Sequence, residues 1–98
     1  MKLEVSVEAA KWYKEEMDLE PGDFVQYYVK LYGGIPTAHQ DYYLGISFGK
    51  EGSIAIKDVV EGITFYFSDQ DSWFLQDFDL KVVRKEDDLD FIFTKTLD

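Results

Sequence analysis

The chain has no cysteine among its 98 residues, no asparagine, one histidine, two prolines and no apolar run that approaches a membrane span. Each absence excludes a class of chemistry. Without thiols there are no disulfides, thiolate metal sites or cysteine nucleophiles, so stability has to come from packing. Without asparagine there is no glycosylation sequon. Glu4 and Glu8 interrupt the opening segment, which lacks the apolar core of a secretory leader, and the expected compartment is cytoplasmic. Basic charge is scarce as well: Lys and Arg number 10 against 20 Asp and Glu, a formal net charge of −10. Phosphate backbones and anionic membranes repel such a chain, so neither nucleic acid nor a membrane is an expected partner. An acidic field attracts basic proteins and metal cations, and it also keeps an apolar small protein in solution.

Large rings are what the chain has in quantity: seven Tyr, eight Phe and two Trp, 17% of the residues. They supply burial that a small core lacks in volume, and the length fits one domain over residues 1–98. Ser6 can cap a helix over about Val7 to Met17, where Ala9, Ala10, Tyr13 and Met17 recur at helical spacing. Pro21-Gly22 suits the centre of a type II turn. Asp23 to Tyr32 then alternates Val25, Tyr27, Val29 and Leu31 with a half-apolar second face, as in a strand covered on both sides. Tyr42, Leu44, Ile46 and Phe48 share one face of the next strand, and Gly33 to Gln40 joins the two.

Gly49 to Ser53 is a second turn and Ile54 to Val60 a short strand, which Glu61-Gly62 turns into a hairpin with Ile63 to Phe67. Ser68-Asp69-Gln70-Asp71 has the composition of a helix start, launching one or two turns through Trp73, Phe74 and Leu75. Leu80 to Arg84 and Leu89 to Phe93 are two closing strands around the charged turn Lys85 to Asp88.

This order, with Gly33-Gly34 between two strands, Val59-Val60-Glu61-Gly62-Ile63-Thr64-Phe65 at a hairpin, the Ala9-Ala10 pair in the first helix and Phe91-Ile92-Phe93 near the end, resembles the HesB-like or IscA-like family of A-type iron-sulfur carriers. In cluster-binding members the glycines precede a cysteine and two more cysteines follow near the C-terminus. Here Ile35 stands where the first thiol would be, and Thr94 to Asp98 offers no counterpart of the others, so the resemblance is to a cysteine-free branch. It implies a mainly β fold, borderline α+β: an antiparallel sandwich or flattened barrel with an N-terminal helix and a short second helix. It also implies iron-sulfur cluster biosynthesis or iron handling, with proteins of cluster assembly as partners. A conventional cysteine-ligated cluster is not expected.

The candidate ligand-binding residues are Gly33, Gly34, Ile35 and His39. Adjacent glycines permit positive φ and close approach to the main chain, and loops on rigid sheets are where sites collect. His39, in that same loop near Asp41, is the one candidate metal ligand, and a symmetric homodimer would bring two copies together; the same histidine can equally be solvated or pack on Tyr42 or Tyr43. Asp69 and Asp71 do not continue as a calcium loop, and no serine or threonine has a nucleophile's context, so no catalytic reaction is expected. Tyr27-Tyr28, Tyr32, Tyr42-Tyr43 and Trp73-Phe74 bracket the loop, and an exposed share of them would mark a homodimer or a protein partner. The alternative function is therefore an interaction module on the same fold that binds a protein or small ligand through Gly33 to Gln40 without metal.

Overall fold

The computed structural model describes residues 2–38 and 41–95, and among these the chain is mainly β. In chain order the elements are β1 (Leu3–Val5), α1 (Val7–Glu16), β2 (Phe24–Lys30), β3 (Ile35–Pro36), β4 (Tyr43–Phe48), β5 (Ile54–Val60), β6 (Ile63–Ser68), a 3-10 turn (Ser72–Leu75), β7 (Phe78–Lys85) and β8 (Asp88–Lys95). One sheet has the order β1-β7-β8 and the other β3-β4-β2-β6-β5. Both supply the core: Leu3, Val5, Leu80 and Val82 from the first meet Val25, Tyr27, Leu44, Ile63, Phe65 and Phe67 from the second, with Ala9, Ala10 and Tyr13 of α1 between them. Two packed sheets with an N-terminal helix agree with the expectation, and each fully buried apolar side chain contributes roughly 1.5–3 kcal/mol of transfer free energy.

The sheets are mixed rather than wholly antiparallel, for two local reasons. At one end the Pro21-Gly22 and Glu61-Gly62 turns lock together. Asp23 N–H donates to the Glu20 carbonyl at 3.0 Å, closing the first turn around Gly22 at φ 101°, and Glu61 and Gly62 at φ 55° and 79° form a type I′ hairpin. Gly22 N–H then donates to the Gly62 carbonyl at 2.8 Å, and a Cβ on Gly62 would lie 2.7 Å from Pro21 Cβ, so nothing larger than glycine fits there. This juxtaposition starts β2 and β6 side by side in the same direction. In the other sheet β1 runs parallel to β7 in the register Leu3↔Leu80 to Val5↔Val82. Three residues are too few to show a period, which is why the sequence pattern missed β1.

Helix α1 begins as expected: Ser6 Oγ accepts Ala9 N–H at 3.1 Å, and Ser6 N–H donates to the Val82 carbonyl at 2.9 Å, tying the cap to β7. The second helix is short, as expected. It is a four-residue 3-10 turn whose N-cap, Asp71, makes no side-chain capping bond; Phe74 and Leu75 are buried and fix the segment by packing instead. Among the described residues, no helix is long and apolar enough to cross a membrane.

Candidate functional site

Among the described residues the two sheets meet along two seams, one closed and one open. On one side β1 lies against β5, and Asp58 Oδ2 of β5 accepts the Val5 N–H at 2.8 Å. On the other side an apolar cleft of about 420 Å³ opens between β8 and the β3–β4 margin. Trp12 and Tyr13 of α1 and its C-cap Met17 line it, with Ile35 of β3, Ile46 and Phe48 of β4, and Asp88, Leu89 and Phe91 of β8. Met17 and Phe48 at its rim are 43% and 50% exposed, high for side chains of that kind. Trp12 Nε1 donates to the Asp87 carbonyl at 2.7 Å, which pins α1 to the β7–β8 turn and holds the wall in place.

The backbone beside the cleft is also open. Gly49 N–H donates to the Phe24 carbonyl at 2.9 Å, and β2 and β4 are paired in the register Val25↔Phe48. Antiparallel ladders alternate, so Tyr43, Gly45 and Ser47 exchange bonds with β2 while Leu44, Ile46 and Phe48 turn theirs away from it. Leu44 is met by Ile35 of β3, a strand of two residues. Among the described residues, no strand pairs with Ile46 or Phe48 on that side.

Gly33 and Gly34 shape this margin. Gly33 has φ 54° and open space around it, whereas Gly34 has φ 147° and a Cβ there would lie 2.8 Å from the Leu44 carbonyl oxygen. The close approach that the glycine pair permits is thus made to β4 of the same chain, and it delivers Ile35 to the cleft. His39 lies outside the described residues. Among those residues, no three His, Asp or Glu side chains converge as a metal site.

The cleft floor carries a buried polar pair. Tyr13 and Tyr27 hydroxyls lie 2.9 Å apart, with Tyr13 tilted against Phe65 at 5.2 Å. Burial pushes the Tyr13 hydroxyl up from 10.0 to about 12, offset in part by its bond to Tyr27; burial, and then the neighbouring Tyr13, also raise Tyr27 well above its ordinary value. Both remain neutral at physiological pH. A second, polar concavity of about 440 Å³ borders Gln26, Glu51 and Ser68. It belongs to the Gly49–Ser53 loop, which the buried Tyr66 anchors by accepting the Glu51 N–H at 2.9 Å and donating toward the Gly49 carbonyl at 3.2 Å.

Of the aromatic set, Tyr27 is core, Tyr28 covers Gly45, and Tyr42 packs edge-on to Trp73 at 5.4 Å and Phe74 at 6.2 Å. Tyr32 is 85% exposed and, with the exposed Leu31, lies in the bend that follows β2. Sequence reasoning picked out Ile35 but missed Trp12, Asp88 and the rim role of Met17 and Phe48. Phe48 standing immediately before Gly49-Lys50, and Met17 at a helix end between Glu16 and Asp18, were the available signals.

These features define a small mainly β protein with an apolar concavity at an open seam between sheets. No model of a known protein family matches the sequence. The chain is 34% identical over 87 residues to the pyruvate dehydrogenase inhibitor of Bacillus subtilis, covering 89% of this chain and 90% of that protein. It is 29% identical over 82 residues to an uncharacterized protein of Staphylococcus saprophyticus, covering 82% and 84% respectively. The chain therefore belongs to the family of the B. subtilis pyruvate dehydrogenase inhibitor. This corrects the HesB-like, IscA-like assignment and the iron-sulfur biosynthesis or iron-handling function drawn from it. Gly-Gly before Ile35 and the Glu61-Gly62 hairpin are turn solutions that any fold with these connections can use, so they carried kinship poorly.

Proposed function

We propose that this chain inhibits pyruvate dehydrogenase by binding to it, without chemistry of its own. The observation that carries the reading is the match, 34% identical over 87 residues, to a protein named as an inhibitor of that enzyme. It covers 89% of this chain and 90% of that protein. The geometry supports binding: an apolar cleft with a half-exposed rim is costly to leave wet and is the kind of surface that marks protein contacts. The buried tyrosine pair beneath it satisfies its own hydrogen bonds, and so supports the floor.

The test is a titration of the purified chain into pyruvate dehydrogenase from the same organism, following NADH formation. A saturable fall in rate, with binding measured in parallel by calorimetry at the same stoichiometry, is expected. An unchanged rate at several-fold molar excess, without binding heat, would overturn the reading.

A further inference from the structure

We infer that the open seam takes an extended segment of the inhibited enzyme, which adds as a strand to the free edge of β4 and lays alternate apolar side chains into the cleft. The inference rests on the inhibitor reading and deepens it by assigning the surface and the chemistry of what it holds. Ile46 and Phe48 present both kinds of unmet group at once: their backbone N–H and C=O face away from β2, and their side chains line the cleft. A strand added there continues the line of β3, so its main chain satisfies the edge while every second side chain meets Ile35, Met17 or Leu89. Exposed edges of this kind are ordinarily covered or blunted by lysine or proline, and β3 with Pro36 covers only the first part of β4.

Charge chooses the occupant. Asp88 lines the cleft beside Leu89, and the exposed Glu16, Asp18 and Asp87 are chain neighbours of the lining residues Met17 and Asp88. With a net charge of −10 over the chain, they favour a segment whose apolar residues are flanked by Lys or Arg. They oppose a second copy of this acidic chain at the same edge.

The experiment measures binding to intact pyruvate dehydrogenase for the wild type and for Phe48→Ala, Phe48→Pro, Met17→Lys and Asp88→Lys, each checked by circular dichroism and urea melting. Phe48→Ala removes the rim side chain and should weaken binding roughly tenfold; Phe48→Pro also removes an outward N–H and should weaken it roughly tenfold more. Met17→Lys, at the helix C-cap and outside any strand, should weaken binding even if the proline variant fails to fold. Asp88→Lys should weaken binding at low salt and flatten its salt dependence. A wild type that binds, with Phe48→Ala and Met17→Lys binding equally well, overturns the inference and leaves the inhibitor reading standing. A wild type that does not bind sinks both. Equal binding by the alanine and folded proline variants overturns strand addition. A wild type sedimenting as a dimer that Phe48→Pro dissociates gives the edge to a second copy and also overturns it.

Discussion

The seam at β1 and β5 and the seam at β8 and β4 join the same two sheets, yet they solve the same problem differently. At the first, two strand edges approach, and a single carboxylate, Asp58, satisfies the outward Val5 N–H at 2.8 Å. At the second, β3 supplies only Ile35 and Pro36, and the rest of the β4 edge faces a cleft of about 420 Å³. A buried backbone donor left unmet costs roughly 1–3 kcal/mol, so the first seam must be sealed for the fold to persist. An edge in contact with water carries no such penalty, and the second seam is free to be sealed by something else. If the proposed docking at the open seam holds, stability and recognition sit on opposite sides of one core, and substitutions should separate them.

The largest expected loss is at the margin of the open seam, where it is still structural. Gly34→Val places a β-branched side chain at φ 147° and a Cβ against the Leu44 carbonyl. Strain of that class costs about 1–3 kcal/mol before the collision is relieved, so a fall of about 3 kcal/mol in urea unfolding free energy is expected. A fall below about 0.5 kcal/mol would mean that β3 is not held to β4 as described. Asp58→Ala at the closed seam should cost about 2 kcal/mol, by leaving the Val5 N–H unmet, and should leave binding to pyruvate dehydrogenase unchanged below the melting range. A binding loss with unchanged stability would reverse the roles given to the two seams.

The contrast between seams also marks what the sequence could disclose. Hairpins that close within a few residues were legible: Glu61-Gly62 marked its own hairpin, and Ser6 its helix cap. The closed seam was not. It depends on β1, three residues long, finding β7 in parallel far along the chain, and no local period encodes that. The short second helix was legible in place and length, but Asp71 makes no side-chain cap bond and the buried Phe74 and Leu75 hold the turn instead. At the open seam Ile35 was singled out for its position after two glycines, but its neighbours come from α1, β4 and β8. Four separate elements must be folded before Met17, Phe48 and Leu89 stand around it. The same limit misled the family assignment, since turn glycines report backbone geometry and only the match over 89% of the chain reports descent.

Between the seams lies the Tyr13–Tyr27 pair, which tests whether the floor of the cleft is structural. Tyr27→Phe strands the Tyr13 hydroxyl in a site 1% exposed, for a cost of about 1–2 kcal/mol, whereas the double phenylalanine variant should recover most of it. The pH dependence carries a definite sign. Tyr13 has its folded value raised from 10.0 to about 12, so the unfolded chain releases that proton first. The pair's contribution is fully present below pH 10.0 and is lost as pH rises toward about 12. Urea melts across that window should show stability falling in the wild type and falling less steeply in the double variant. Equal slopes would remove the pair from the account of the cleft floor.

The smallest expected effect on stability is at the rim, and it is the most informative. Met17 and Phe48 are about half exposed, so Met17→Lys and Phe48→Asp remove little buried area and should each shift the unfolding free energy by only about 0.5 kcal/mol. Each also adds a charge to an apolar surface that a partner has to desolvate, which opposes binding far more than folding. Inhibition titrations of pyruvate dehydrogenase with these variants should therefore lose most of their effect while the melts hardly move. Melts and titrations that fall together would instead make the rim part of the fold, and the two seams would no longer differ in kind.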